Sequence, residues 1–167
     1  MSAVVLVEGA SDRLALETLA RRQGRDLAGE GVSVVAIGGT QAVGRVVADL
    51  RSTAASIAGL CDAGEEALFR RAGFGSTLYV CHADLEDELI RALGTDAVEG
   101  ILEANGELGS FRTLQKQAAW GGRPVEDQLR RFMGSGARRK ARYAALLVEA
   151  LDLSAMPPPL VGVLAEV

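Results

Sequence analysis

The sequence predicts an α/β fold: a parallel sheet flanked by helices, with a helical C-terminal appendage. Two observations carry this. Up to Gly94, short apolar runs rich in Val, Ile and Leu alternate with segments of helical periodicity, the pattern of strand–helix–strand units with right-handed crossovers. Beyond Gly94 the strands give way to helical segments separated by Gly and Pro, which punctuate helices. A length of 167 residues, 49% hydrophobic content and 20 glycines fit one globular domain, or one domain with an appendage. The expected organisation is an α/β core over 1–94, a basic helical subdomain over 95–156, and a segment 157–167 that is either a final strand or a tail.

The first strand is expected over 4–7, where Val4, Val5, Leu6 and Val7 form a run suited to burial on both faces. It runs into Glu8-Gly9-Ala10-Ser11-Asp12. A helix follows over 12–23, with Leu14, Leu16, Leu19 and Ala20 on or near one face. The second strand covers 32–37 and is closed by Gly38-Gly39; a helix covers 41–53. The third strand covers 57–61 and ends in Asp62, with a short helix over 65–71. The fourth covers 77–81, and a helix over 84–93 completes the core. Four further helices are expected over 96–105, 108–119, 125–133 and 137–151, before Pro157-Pro158-Pro159.

Several classes are disfavoured. No apolar run approaches the roughly 18 residues of a membrane helix. No basic, apolar leader opens the sequence, so a cytoplasmic setting is expected. Cys61 and Cys81 each close a strand-like run without metal-finger spacing, and are expected as buried thiols. No phosphate-binding Gly-x-x-x-x-Gly-Lys-Ser/Thr loop, dinucleotide fingerprint or Gly-x-Ser-x-Gly elbow is present. His82 is the single histidine and gains no role from its neighbours.

The net charge is −4, but its distribution is uneven. Half of the 18 Lys and Arg residues lie between Arg112 and Arg142, among them Arg130, Arg131, Arg138, Arg139 and Lys140. The acids there are Glu126 and Asp127. Such asymmetry suggests a polyanionic partner, with a solvated helical surface as the alternative.

The acids have the opposite logic. Glu8 ends the first strand with Asp12 one turn on, Asp62 ends the third, and Asp84 and Glu86 follow the fourth. A parallel sheet brings these ends to one edge, where open α/β sheets bind ligands. Carboxylates converging there repel unless cations neutralise them. Hard oxygen ligands suit Mg²⁺ or Mn²⁺, and two such ions can clamp the attacking and leaving oxygens of a phosphodiester. Asp12 alone is equally well explained as a helix N-cap.

Val7-Glu8-Gly9-x-x-Asp12, Ile37-Gly38-Gly39, Leu60-Cys61-Asp62, Asp84-Leu85-Glu86-Asp87-Glu88-Leu89 and Arg138-Arg139-Lys140-Ala141-Arg142-Tyr143-Ala144 follow one another in order. Together they resemble the Toprim domain of topoisomerases, primases and certain nucleases. They are most similar to the Toprim nuclease domain of the OLD (overcoming lysogenization defect) family, over nearly the whole chain. The resemblance implies metal-dependent nicking or cleavage of DNA. It implies Glu8 and Asp12 as the first acidic motif, Asp62 as the first acid of an Asp-x-Asp motif, and Glu86 as the acid of a Ser-x-Glu-like motif. It also implies Lys140 as a basic residue assisting catalysis. Gly64 departs from the pattern where a second acid is often found, with Glu65 next to it, and Asp84 stands where Ser is found. The departures bear on the ligand set more than on the fold. OLD proteins usually carry an ABC-type ATPase, so a stand-alone protein or a partner of a separate ATPase is expected.

The resulting expectation is a phosphodiesterase acting on DNA with two Mg²⁺ or Mn²⁺ ions. Glu8, Asp12, Asp62, Asp84 and Glu86 would hold the ions, and Glu8, Asp62 and Lys140 would serve catalysis. Arg130, Arg131, Arg138, Arg139 and Lys140 would hold the nucleic acid. Alternatives are a Toprim protein acting on structured RNA or in nucleotidyl transfer, a non-catalytic module of a partner ATPase, and a phospho-receiver with Asp62 as acceptor.

Overall fold

The structure, a computed structural model, describes residues 2–167. Four strands, β1 (Ser2–Val7), β2 (Val32–Ala36), β3 (Ala54–Asp62) and β4 (Leu78–Cys81), form a parallel sheet in the order β2-β1-β3-β4. β1 is central and pairs with β2 from Ala3–Val32 to Val7–Ala36, and with β3 as far as Leu6–Gly59. Its Val4, Val5, Leu6 and Val7 are all buried, as an apolar strand covered on both faces requires.

Strand alternation divides these residues between two cores. Val5 and Val7 pack with Val34, Ala58 and Leu60 against α1 (Ala10–Arg22), α4 (Leu85–Leu93) and the helices of the second half. Val4 and Leu6 pack with Cys61 and Leu78 against α2 (Val43–Leu50) and α3 (Glu66–Arg71), where Phe69 and Phe74 fill the layer. Gly59 permits this fit, because a Cβ there would stand 2.9 Å from the Phe74 ring.

The second half adds α5 (Thr95–Ala104), α6 (Leu108–Gln115), α7 (Val125–Met133), α8 (Ala137–Ala150) and α9 (Pro158–Ala165). Leu102, Phe111, Leu129 and Leu147 belong to the same core as Val5 and Leu16 of the sheet layer. Two arginines staple the chain end to α1's end. Arg22 donates to the carbonyls of Val148 and Leu151 at the foot of α8, and Arg25 to those of Leu164 and Val167.

One sequence expectation is corrected here. Residues 158–165 form a helix, not a final strand. A strand would bury alternate residues, but the buried ones are Leu160, Val163 and Leu164, at helical spacing. Proline in the first turn suits a helix start, and Gly162 lies against the Tyr79 ring of β4, where a Cβ would collide. The helix expected over 41–53 is shorter, Val43–Leu50, with a 3-10 turn over Thr40–Ala42 before it and a turn over 51–53 leading into β3.

Candidate active site

The strand order reverses between β1 and β3: the chain moves outward from β1 to β2, then crosses to β3 on the other side. Such a reversal opens a crevice beyond the carboxyl ends of the two strands, where ligands of open α/β sheets bind. Glu8 leaves β1 at this point and Asp62 ends β3. They meet across the crevice, with the Asp62 backbone N–H donating to Glu8 Oε1 at 3.2 Å.

Three more acids join them. Gly9, not Asp12, is the N-cap of α1, and Asp12 stands at the third helical position with its carboxylate accepting the Gly9 N–H at 2.9 Å. Asp84 caps α4 by accepting the Asp87 N–H at 2.9 Å. Glu86, in the first turn of α4, is only 4% exposed. Its Oε2 lies 3.6 Å from Lys140 Nζ, while its Oε1 is buried without a hydrogen-bond partner.

Crowding shows in the protonation equilibria. Burial raises Asp62 most, the charges of Glu8, Asp12, Asp84 and Glu86 add to it, and its pKa reaches about 8. Burial also carries Glu86 to about 7, although Lys140 pulls it back. Glu8 and Asp12 are raised, again mainly by burial; the Asp62 and Gly9 N–H groups, respectively, oppose this. The charge of Glu65 also raises Glu8, so Glu65 is felt at the edge where Gly64 offers no carboxylate. Burial lowers Lys140, but the surrounding acids outweigh it and the ammonium is held more firmly than usual.

These groups fit a hard divalent cation by their chemistry. The donors are carboxylate oxygens, one of them buried and unsatisfied, and their mutual repulsion is what a cation relieves. Among the described residues no three acidic, His or Cys side chains already stand as a metal-binding group.

The structure brings Glu8, Asp12, Asp62, Asp84, Glu86 and Lys140 to one edge. It divides the arginines. Arg130 forms a 2.6 Å ion pair with Asp84, joining a residue expected to hold nucleic acid to one expected to hold metal. Arg139 pairs with Glu107 at 3.3 Å and lies over the Phe132 ring. Arg131 lies over Trp120, and Arg138 is exposed. Clustered cations at the start of α8 oppose the helix dipole; Glu107 and Glu86 offset part of that cost from within the fold. Glu107 and Trp120 were not apparent as site residues. Trp120 had a signal, an aromatic in the Gly-containing stretch Trp120-Gly121-Gly122-Arg123 of the basic segment.

The sheet order and acidic edge define an open α/β domain with a ligand crevice at the β1/β3 switch point. Residues 1–63, which include Glu8, Asp12 and Asp62, match the family described as overcoming lysogenization defect protein-like, TOPRIM domain. The whole fold is similar to the C-terminal region of the Burkholderia pseudomallei OLD protein, with a TM-score of 0.68 at 15% identity, covering 98% of this chain and 94% of that one. It is also similar to the C-terminal region of the Xanthomonas campestris pv. campestris OLD protein, with a TM-score of 0.68 at 21% identity, covering 98% and 90%. The chain therefore has the fold of the OLD C-terminal region, and its first 63 residues match the OLD-like Toprim model. No curated protein matches it. Among the described residues no helix is long and apolar enough to cross a membrane.

Proposed function

We propose that this chain hydrolyses phosphodiester bonds of DNA in a reaction that depends on Mg²⁺ or Mn²⁺. The observation that carries this reading is the convergence of Glu8, Asp12, Asp62 and Glu86 with Lys140 at the β1/β3 crevice, with Glu86 Oε1 buried and unpartnered. The match with the OLD-like Toprim family supports it. Glu8, Asp62 and Glu86 would be the principal ligands for two ions, with Asp12 beside them and Asp84 available on release from Arg130. Such ions supply Lewis-acid stabilisation of phosphoryl oxygens.

The chain's own groups do the rest. The carboxylates at the crevice exclude a bare polyanion until their charge is neutralised, which couples substrate entry to cation loading. Lys140, held protonated by its acidic neighbours, offers a positive charge for negative charge developing on the phosphoryl group. Arg131 and Arg138, exposed on the basic segment, hold flanking phosphates. A cytoplasmic setting and an ABC-type ATPase partner, on another chain or another region, belong to the same reading.

The test is incubation of the purified protein with supercoiled plasmid, and separately with structured RNA, in Mg²⁺, Mn²⁺ or chelator. Nicked or linear plasmid formed only with a divalent ion is expected. Cleavage of RNA with plasmid untouched moves the substrate to RNA, and no cleavage of either under any condition removes the nuclease assignment.

A further inference from the structure

A cavity of about 460 Å³ lies beside the acidic edge, lined by Asp84, Trp120, Arg123, Asp127, Arg130 and Arg131. Its size falls within the range of small-molecule sites. Trp120 is the chain's single tryptophan and is half-buried in the turn between α6 and α7. That turn is fixed from behind. Gln128, buried at 4% exposure, donates to the Trp120 carbonyl at 2.8 Å and accepts from Gln115 at 2.8 Å. The Trp120 N–H donates to the Gln117 carbonyl. These bonds fix the Trp120 backbone, and the half-buried indole lines the cavity.

The ring is surrounded by guanidinium groups: Arg123 lies 4.8 Å and Arg131 5.9 Å from its centroid. An aromatic face with guanidinium planes is the chemistry that stacks nucleobases without regard to sequence while meeting the adjoining phosphates. Asp84 and Asp127 also line the cavity. Two carboxylates disfavour a bare inorganic anion, whereas a base presents amino and imino donors to them. Asp84 ties the cavity to the crevice, because it lies two residues before Glu86 and joins Arg130 to the acidic edge.

We propose that this cavity binds one unpaired nucleotide next to the phosphate to be cleaved, with its base on Trp120 and flanking phosphates on Arg123 and Arg131. This rests on the nucleic-acid reading above and deepens it. A base in an intact duplex has to be unstacked before it can enter, and that cost is least in single strands, flaps and mismatches. The protein therefore favours sites with an unpaired nucleotide over uninterrupted duplex.

Because Trp120 is the single tryptophan, its fluorescence reports the cavity directly. The wild-type protein is titrated in Ca²⁺ with a short oligothymidylate, with an abasic strand carrying the same phosphates, with a blunt duplex and with inorganic phosphate. Quenching by oligothymidylate is expected, with about tenfold weaker binding and no quenching by the abasic strand. Trp120→Ala is expected to lose about tenfold in affinity for oligothymidylate, and Trp120→Phe to keep most of it. Equal affinity for the thymidylate and abasic strands overturns the proposal, as does a folded Trp120→Ala that binds thymidylate like wild type. If Trp120→Ala fails to fold, the abasic comparison on wild type decides. Wild type that nicks plasmid but does not discriminate the abasic strand leaves the nuclease reading standing and removes the cavity's role. Wild type that discriminates but never cleaves does the reverse.

Discussion

Asp62 and Glu107 are both partly buried carboxylates that end up among charged neighbours, and the fold treats them in opposite ways. Around Glu107 the neighbours are donors: Arg142 at 2.8 Å, Arg139 at 3.3 Å and the Tyr143 hydroxyl. Burial pushes its pKa up, but these three outweigh it and the carboxyl is held below its usual range. Around Asp62 the charges are those of other acids, and its pKa rises to about 8. One site is complete with the groups the chain supplies. The other is left with repulsion that Lys140 offsets only in part and that retained protons relieve, relief that a bound cation would also supply. The first is how an ion-pair hub joins α6 to α8; the second is how a ligand site is prepared at a structural cost.

The largest test of this contrast removes acids. Asp62→Asn and Glu8→Gln are expected to abolish metal-dependent plasmid cleavage while raising the melting temperature in chelator, since each relieves repulsion. Glu107→Gln is expected to lower the melting temperature with metal dependence unchanged. Full cleavage by Asp62→Asn and Glu8→Gln would remove the carboxylates from the metal site.

The next effect in size belongs to Lys140, the cation placed among the acids. Lys140→Ala is expected to slow cleavage by roughly 10²-fold, the scale of losing one oriented charge in the transition state. Affinity for DNA in Ca²⁺ should change little. Weakened binding with a normal rate at saturating DNA would make Lys140 a phosphate-positioning group.

A smaller effect separates cations the fold already uses from those it leaves exposed. If Arg131 and Arg138 each meet a phosphate of duplex DNA, replacing either by Ala should flatten the slope of log affinity against log salt by about 0.9. Arg130 and Arg139, tied to Asp84 and Glu107, should change it less. Equal changes at all four positions would show that the ion pairs open on binding.

The sheet and its acidic edge were legible because both are local in sequence. Val4 to Val7 specify a doubly buried strand, and a carboxylate directly after such a strand marks the sheet edge. What stayed hidden depends on contacts between distant residues. The Arg130–Asp84 pair spans 46 positions and the Tyr143–Glu107 bond 36, so arginines that looked free along the sequence are partly spent within the fold. Asp12 looked like a cap and is the partner of one, because Gly9 supplies the turn and Asp12 reaches back to its N–H. Leu160 to Leu164 reads along the sequence as a final strand or a tail because five small or apolar residues satisfy more than one period, whereas the fold makes it a helix with Gly162 against Tyr79.

The smallest expected effect is also the most direct measure of the contrast: the pH dependence of stability without metal. Asp62 rises from its ordinary 3.8 to about 8, and Glu86 from 4.5 to about 7. Between about pH 4 and pH 8 the folded chain therefore keeps protons that the unfolded chain has released. Stability falls as pH rises through that window and levels off above it. Glu107 has the opposite sign. Its lowered pKa contributes stability that is present above its unfolded value of 4.5 and is lost as pH falls through the folded one. In chelator the melting temperature should rise from strongly acidic pH to about 4 and decline by several degrees towards pH 8. Asp62→Asn should weaken the decline and leave the acid limb intact, and Glu107→Gln should do the converse. Saturating Mg²⁺ should abolish the decline in wild type, because binding favours the deprotonated acids more strongly as pH rises. A wild-type profile that is flat from pH 5 to 8 in chelator, and unchanged by Asp62→Asn, would mean the edge carries no stored repulsion and that the two carboxylates are not opposites after all.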